Sequence, residues 1–221
     1  MNQALLDHIL SFVTENKKEV FRRVLANRTK HITLVLENVF QPQNASAVVR
    51  SCDCFGIQDL HVIESKNEYN INPRIVMGAS KWVDIHQHTD TTSAIDDLKA
   101  QGFQIIATSP HSDDVNVQDF IPHQKSAIFF GTEYDGLSNE VMEKADRFVK
   151  IPMYGFTESF NISVAAALVL QSFTDNLRNS SINWHLSAQE KQDLCGKWAS
   201  KCVKNVDIIE KEFMKVQNES L

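Results

Sequence analysis

Residues 151–170 read Ile151-Pro-Met-Tyr-Gly-Phe-Thr-Glu-Ser-Phe-Asn-Ile-Ser-Val-Ala-Ala-Ala-Leu-Val-Leu170, and this stretch is the most informative part of the chain. It begins as the end of an apolar strand, turns through Pro152 and Gly155, and becomes an alanine-rich apolar helix at Asn161. The start of a helix presents unpaired N–H groups and the positive end of its dipole. The polar residues between the turn and the helix therefore predict a loop that holds a ligand.

Two other segments also place polar residues at the point where a strand gives way to a helix. One reads Asn38-Val-Phe-Gln-Pro-Gln-Asn-Ala-Ser-Ala-Val-Val-Arg-Ser-Cys-Asp-Cys-Phe-Gly56. The other reads Phe129-Phe-Gly-Thr-Glu-Tyr-Asp-Gly-Leu-Ser-Asn139. Each segment alone is a weak signal, but the same arrangement in three places predicts a site built from several loops.

Strands and helices alternate along the middle of the chain, and the strands are continuous apolar runs. This pattern is typical of a parallel sheet covered by helices on both faces, so the predicted fold class is α/β. The predicted strands are 33–36, 60–63, 82–85, 103–108, 127–130 and 148–151. The predicted helices are two within 3–27 that break near Asn16, then 44–55 with Asn44 near its cap, 72–80, 91–101, 138–145, 161–177, and a last one from Ser187 to about 215.

The same pattern predicts one α/β domain over residues 31–178, with helical extensions at residues 1–30 and 179–221. The chain has only seven glycines. No G-x-G-x-x-G motif occurs, which argues against a fold that grips pyrophosphate with a glycine loop. Ser159 lies in no G-x-S-x-G elbow, which argues against a Ser-His-Asp hydrolase.

Charge is distributed unevenly along the chain, whose net charge is −6. Residues 1–31 carry +3, residues 32–177 carry −10, and residues 178–221 carry +1. A basic arm on an acidic body suits a local contact with phosphate groups. The alternative is a solvated helix face with no partner. The cations that we predict to contact RNA are Lys17, Lys18, Arg22, Arg23 and Arg28.

Several classes of protein are disfavoured by the sequence. There is no apolar run of about 18 residues, so no membrane span is expected. The first residues lack the features of a signal peptide. The four cysteines match no zinc spacing, so we expect reduced thiols, no bound metal and a cytoplasmic location.

Taken together and in order, the three polar segments resemble the three motifs of the SpoU-type (TrmH-like) RNA ribose 2′-O-methyltransferases over roughly residues 30 to 175. The resemblance implies the SPOUT fold, in which the C-terminal part of the sheet domain is tied in a deep trefoil knot. It implies S-adenosylmethionine as the methyl donor. It also implies a homodimer. We expect the dimer to form through the predicted helices at 44–55 and 161–177, because together they carry more apolar surface than one sheet face needs, at Ala45, Val48, Val49, Ala165, Leu168 and Val169.

The resemblance assigns the catalytic chemistry to Arg50, Asn44, Glu133, Ser159 and Asn161. Arginine is effectively never deprotonated in proteins, so Arg50 is more safely a clamp for phosphate and hydroxyl that shares in proton transfer. Each assignment has a plainer alternative: a surface arginine for Arg50, a helix cap for Asn44, and an exposed loop acid for Glu133. A hydroxyl and an amide beside a helix start, as at Ser159 and Asn161, suit either the donor or the target ribose.

The donor is expected to be held mostly by backbone groups of three loops, and the resemblance places these at Thr108, Gly131, Ile151, Met153 and Phe160. Cys52 and Cys54 flank Arg50 and could suggest a thiolate nucleophile, but cysteines on an apolar helix are commonly core residues. The chain departs from the family at Gln171-Ser172, where a glutamate is frequent. We expect that change to affect packing or dimer contact.

Among the branches of the family, the short N-terminal helices, Lys81-Trp82 and the C-terminal helix with Trp198 most resemble enzymes that methylate guanosine 18 in the D-loop of tRNA. The alternatives are methylation of ribosomal RNA or of another tRNA position. A non-catalytic RNA-binding protein of the same fold is the alternative from another class, and the complete set of motif residues argues against it.

Overall fold

The computed structural model describes residues 1–39, 41–65, 69–109, 114–132 and 134–219. Within these residues the chain divides into two units, and each is described by itself. One unit comprises residues 29–184, and the other comprises residues 1–28 and 185–221.

The first unit, the sheet unit, contains a parallel sheet. Its strands are β1 (Ile32–Glu37), β2 (Asp59–Ile63), β3 (Asp84–His88), β4 (Gln104–Thr108), β5 (Val115–Asn116), β6 (Ser126–Phe130) and β7 (Arg147–Lys150). They lie in the order β3-β2-β1-β6-β4-β7-β5. All described pairings are parallel. The predicted α/β class with a parallel sheet is thereby confirmed.

Helices cover both faces of this sheet because alternate strand residues point to opposite sides. The helices of the sheet unit are α3 (Pro42–Phe55), α4 (Pro73–Val76), α5 (Thr91–Ala100), α6 (Asn139–Lys144) and α7 (Ile162–Arg178), with a 3₁₀ turn at Ala79–Lys81. In β1, Leu34 and Leu36 pack into a core with α3 and α7, whereas Val35 packs on the other face with α5 and α6.

The second unit, the helical unit, consists of α1 (Gln3–Ser11), α2 (Glu15–Leu25), α8 (Ala188–Ser200) and α9 (Val206–Glu219). Trp198 on α8 is 1% exposed and its ring lies 5.8 Å from the ring of Phe21 on α2. Burial of this large aromatic side chain gives the unit its own small core.

Several predicted boundaries were wrong, each for a local reason. The helix α3 begins at Pro42 with Gln41 as its cap, because proline suits the first helical position, so Asn44 lies inside the first turn. The strand β3 starts at Asp84, two residues later than predicted, because Trp82 ends the 3₁₀ turn. The first two helices break at Phe12–Thr14. The last predicted helix is two helices, separated near Asn205, whose φ of 55° is incompatible with a right-handed helix. The two-residue strand β5 was not predicted.

Candidate active site at the carboxyl edge of the sheet

A pocket of about 170 Å³ opens at the carboxyl ends of β4, β6 and β7, beside the start of α7. Neighbouring parallel strands end at the same edge of a sheet, and the loops that follow them meet there. The lining comprises Thr108, Ser109, Val117, Phe130, Gly131, Thr132, Gly136, Leu137, Val149, Ile151, Met153, Glu158, Ser159, Phe160, Ile162, Ala165 and Val169.

All five residues predicted to hold the donor line this pocket: Thr108, Gly131, Ile151, Met153 and Phe160. They come from three loops that are far apart in the sequence, and the sheet brings the loops together. The Thr108 hydroxyl donates to the Phe129 carbonyl at 2.8 Å, so that side chain ties β4 to β6. The structure shows that the five residues line one pocket. Their contacts with a ligand stay a prediction.

The loop after β6 is tightly folded against itself at Gly131. Thr132 and Gly136 form two backbone hydrogen bonds, of 3.0 and 3.2 Å. A Cβ atom built on Gly131 would lie 2.0 Å from the Gly136 carbonyl oxygen, so no other residue fits without moving the backbone. The absence of a side chain at Gly131 therefore fixes the shape of one wall of the pocket.

The first and third polar segments meet through Asn44 and Asn161. The Asn161 side-chain amide donates to the Asn44 side-chain oxygen at 3.1 Å, across the packed helices α3 and α7. Asn161 also caps α7, because its oxygen accepts from the Ser163 N–H at 2.9 Å and from the Ser163 hydroxyl at 2.6 Å. Asn44 is 6% exposed, whereas Asn161 is exposed, so this contact is partly buried; it connects the α7 start to α3.

The remaining predicted catalytic residues are placed differently. Ser159 is exposed and lines the pocket. Arg50 does not line it; it is exposed on α3, one helical turn after Ser46. Ser46 is itself fixed, because its hydroxyl accepts from the Asn72 N–H at 2.7 Å. Glu133 lies outside the described residues.

The pocket suits a ligand that carries a nucleoside. Val117, Phe130 and Ile162 supply apolar walls against which a flat ring can pack. Polar groups lie at Ser109 and Ser159, and the backbone at Gly131 is open to close approach. Ligand sites commonly combine apolar walls with a few placed polar groups in this way. S-adenosylmethionine has an adenosine moiety, so it fits this combination of apolar walls and polar groups.

Other lining residues were missed by the sequence analysis. Ser109 and Glu158 extend polar stretches that had been noticed, so a wider reading of the same pattern would have found them. Leu137 gave no signal because an apolar residue in a loop is not informative by itself. Beside the pocket segments, Tyr134, Tyr154 and Phe156 are almost fully exposed.

The apolar surface expected on α3 and α7 is only partly present. Ala45, Val48 and Val49 of α3 are at most 1% exposed and belong to the core of the sheet unit, so they were wrongly assigned to a dimer surface. On α7, Val169 is fully buried and was wrongly assigned in the same way, and Ala165 is half-buried. Leu168 is 39% exposed, and its neighbour Val164, which was not predicted, is 46% exposed. Gln171, at the departure from the family pattern, is exposed on α7 and donates to Asp175 on the next turn.

The predicted RNA-binding cations of α2 lie in two kinds of environment. Arg22 and Arg23 are exposed, and Lys17 and Lys18 are half-buried. Lys18 pairs with Glu15 at 2.7 Å, and Arg22 pairs with Glu19.

Arg28 differs from these four cations. It is 1% exposed, and its guanidinium lies 5.4 Å from the Trp198 ring centre. The expectation that all five cations share a surface is therefore wrong for Arg28, whose stacking on Trp198 is a core contact.

Three further features bear on the excluded classes. In the described part of the chain, no group of three or more His, Cys, Asp or Glu side chains could hold a metal ion. No helix there is long and apolar enough to cross a membrane. Cys52 is fully buried in the core and Cys54 is exposed, and neither lines the pocket.

The fold and the pocket define a parallel α/β protein with a ligand site at the carboxyl edge of its sheet. A model of the SpoU rRNA Methylase family matches residues 31–171, and the chain belongs to this family. The resemblance of the three polar segments is thereby confirmed.

Relatives and solved structures agree with this family. The tRNA (guanosine(18)-2'-O)-methyltransferase of Borreliella burgdorferi is 46% identical over 199 residues, which cover 90% of this chain and 91% of that protein. The enzyme of the same name from Thermus thermophilus is 35% identical over 157 residues, covering 71% of this chain and 81% of that protein. The crystal structure of the A. aeolicus TrmH/SpoU tRNA modifying enzyme superposes with a TM-score of 0.77 at 33% identity, covering 86% of this chain and 98% of that one.

Proposed function

We propose that this protein transfers the methyl group of S-adenosylmethionine to the ribose 2′-hydroxyl of guanosine 18 in tRNA. The observation that carries the proposal is the pocket itself, because the five residues expected to hold the donor line it together. Family membership and a relative of that activity that matches 90% of the chain support the reaction and the substrate.

Methyl transfer needs an electrophilic methyl group, an aligned hydroxyl and a group that accepts its proton. When bound, S-adenosylmethionine would supply the electrophilic methyl group and leave as S-adenosylhomocysteine, and the proton of the 2′-hydroxyl would pass to solvent. Arg50 clamps the phosphate next to the target ribose and stabilises charge that develops on the 2′-oxygen. Ser159, at the pocket rim, positions the ribose, and Glu133 orients Arg50. The bond between Asn161 and Asn44 keeps the donor loop and the Arg50 helix in register.

Three structural proposals accompany the reaction. The segments 104–110, 129–136 and 151–163 form the trefoil knot in which the donor binds. The protein is a homodimer in the cytoplasm, and exposed Val164 and Leu168 on α7 lie in its interface. The chain is organised as a methyltransferase domain at 31–178 with helical extensions at 1–30 and 179–221, and the first extension binds tRNA through Lys17, Lys18, Arg22 and Arg23.

The dimer has a direct test. Leu168→Glu places a charge on the exposed face of α7, and light scattering at micromolar concentration should then report a monomer. Val115→Glu places the same charge on an apolar residue of similar exposure, 41%, on β5; it is the matched control and should remain dimeric. A monomeric wild-type protein would refute the proposed assembly and leave the methyl transfer to be judged separately.

The reaction is tested with purified protein, S-adenosylmethionine and two tRNA transcripts that differ only at position 18. One transcript has guanosine there and the other has 2′-deoxyguanosine, which lacks the acceptor hydroxyl. We expect methylation of the first alone, and mapping should place it at that ribose. Methylation of ribosomal RNA or of another tRNA position would support the corresponding alternative. Donor binding by calorimetry without any methyl transfer would indicate a non-catalytic RNA-binding protein.

A further inference from the structure

A buried carboxylate lies directly behind the pocket loop and has no part in the reaction as described. Glu37 is the last residue of β1 and is 2% exposed. Its side chain lies on the face of the sheet opposite to Leu36, with α5 and α6. A carboxylate is costly to bury unless hydrogen bonds replace its lost water, so its partners show what it holds in place.

Glu37 connects the sheet to the loop that forms one wall of the pocket. One carboxylate oxygen accepts from the Ser138 N–H at 2.9 Å, and the other accepts from the Ser138 hydroxyl at 2.7 Å. Ser138 is also the cap of α6, where its hydroxyl accepts from the Val141 N–H at 3.3 Å. It immediately follows Gly136 and Leu137, which line the pocket.

The same carboxylate makes a further contact, to a residue that does not line the pocket. The Thr91 hydroxyl, at the start of α5, donates to the Glu37 oxygen at 2.8 Å. Thr91 does not line the pocket. Thr91 and the Ser138 hydroxyl share the same carboxylate oxygen, Oε1, and Oε2 accepts from the Ser138 N–H alone. The two partners therefore separate two roles: Thr91 connects Glu37 to the scaffold, and Ser138 connects it to the pocket loop.

We propose that Glu37 is a positioning residue for the donor, which acts by latching Ser138 so that Gly136 and Leu137 keep the positions that the pocket requires. The loop is closed at one end by the bonds between Thr132 and Gly136 and at the other by the double contact from Glu37 to Ser138. If the bonds from Ser138 to Glu37 are lost, the bonds between Thr132 and Gly136 remain. The loop that they close is then no longer held to Glu37 at the end of β1 and can shift relative to it. This role rests on the proposed function only in taking S-adenosylmethionine as the ligand.

The test separates the latch from general stability with three variants. Glu37→Ala removes both contacts to Ser138 and should weaken donor binding by about tenfold or more, since the half-buried Ser138 N–H and hydroxyl lose their charged acceptor. Glu37→Gln keeps an oxygen for the Ser138 N–H and a polar group for the hydroxyls, so binding should recover to within about threefold of wild type. Thr91→Val removes only the scaffold contact and should lower the melting temperature while leaving donor affinity within about twofold.

Two measurements decide the outcome, calorimetry with S-adenosylmethionine and hydrogen exchange of the backbone amides of Thr132 and Gly136 without ligand. We expect Glu37→Ala to speed exchange at both amides and Thr91→Val to leave it unchanged. If Glu37→Ala does not fold, Ser138→Ala cuts the hydroxyl half of the same latch and should show the same direction in both measurements.

Equal losses of donor affinity in Thr91→Val and Glu37→Ala, or unchanged affinity in the latter, would overturn the latch. A wild-type protein that binds no S-adenosylmethionine would instead refute the proposed function. In that case the exchange rates alone decide whether Glu37 holds the loop, and unchanged exchange in Glu37→Ala overturns it.

Discussion

The sheet unit and helix α2 use polar side chains in opposite ways. Around the pocket, polar groups are held by neighbours from distant parts of the chain, as Asn161 is held at Asn44 and Ser138 at Glu37. On α2, cations stand at the surface and pair with carboxylates one turn away, as Arg22 does with Glu19. Contacts that are at least partly buried are costly to break, whereas exposed pairs are screened by water and salt. Substitutions should therefore act sharply and locally in the first region and weakly and additively in the second.

The largest effect is expected for Gly131→Ala. A methyl group at this position would lie 2.0 Å from the Gly136 carbonyl oxygen, and its three nearest atoms all belong to the backbone of Gly136 and Leu137, so no side chain can move aside. The pocket wall must shift, and donor affinity should fall by at least about a hundredfold in calorimetry. Gly155→Ala is the matched control because an added Cβ there meets no atom within 4 Å. Similar affinities for the two variants would show that the tight loop is not part of the donor site.

Arg50→Ala tests whether a cation in the sheet unit can have a large effect although it is exposed, as the α2 cations are. Its methyl transfer rate should fall by at least about a hundredfold, or ~3 kcal/mol, because Arg50 acts on the developing charge at the ribose. Donor affinity should hardly change, since Arg50 does not line the pocket. Arg50→Lys should recover only part of the rate, because lysine lacks the planar fork. A turnover within a few-fold of wild type in the alanine variant would refute the assignment.

His61, His86 and His88 form a cluster on β2 and β3 at one edge of the sheet. This cluster tests whether a buried polar group of the sheet unit makes stability depend strongly on pH. His61 is 5% exposed, its Nδ1 lies 2.9 Å from the Nε2 of His88, and its ring stacks on His86 at 4.7 Å. Burial and the two neighbouring histidines lower the pKa of His61 from 6.5 to about 4. The unfolded chain binds this proton at higher pH, so the free energy of unfolding falls as pH drops from about 6.5 towards 4.

At pH 5 the contribution of His61 to that loss is about 2 kcal/mol. Urea unfolding at pH 7 and pH 5 should show a smaller loss in His61→Gln than in wild type. Asp59 remains in both proteins and acts in the same direction. Burial opposes its ionisation, but the bond from His86 and the charge of Lys30 outweigh burial and lower its pKa. Equal losses in the two proteins would mean that His61 does not titrate differently on folding.

The smallest effect is expected when Lys17, Arg22 and Arg23 are all changed to glutamine. tRNA affinity should fall by a few-fold at moderate salt, and the slope of log affinity against log salt should flatten by about 0.7–0.9 for each lost phosphate contact. Donor affinity should not change. The matched variant changes Lys197, Lys201 and Lys204 to glutamine. If that variant alone alters the salt slope, the RNA path runs over the C-terminal lysines and the α2 cations are a solvated face.

The sequence was a good guide to the site where function depends on the order of strands and loops. The apolar runs at 33–36, 127–130 and 148–151 predicted strands of one parallel sheet, and the polar segments after them predicted a site built from several loops. The sequence was a poor guide to whether an individual side chain is buried or exposed in the folded protein. Arg28 was grouped with Arg22 and Arg23 by charge alone, yet it lies buried at Trp198. Val48 and Val49 were assigned to an outer surface, yet they are core residues.

The sequence by itself determined the fold class, the family and the segments that line the pocket, because hydrophobic period and motif order are properties of the chain read locally. Only the tertiary structure decided which of these residues touch. The bond from Asn161 to Asn44 spans 117 positions, and the bonds from Ser138 to Glu37 span 101. Such contacts depend on how α3, α7 and the sheet pack in three dimensions. Neither the periodicity nor the charge pattern of the chain shows which distant residues will touch. In the sequence Glu37 is only an acid at the end of a strand, and its contact with Ser138 appears in the folded structure alone.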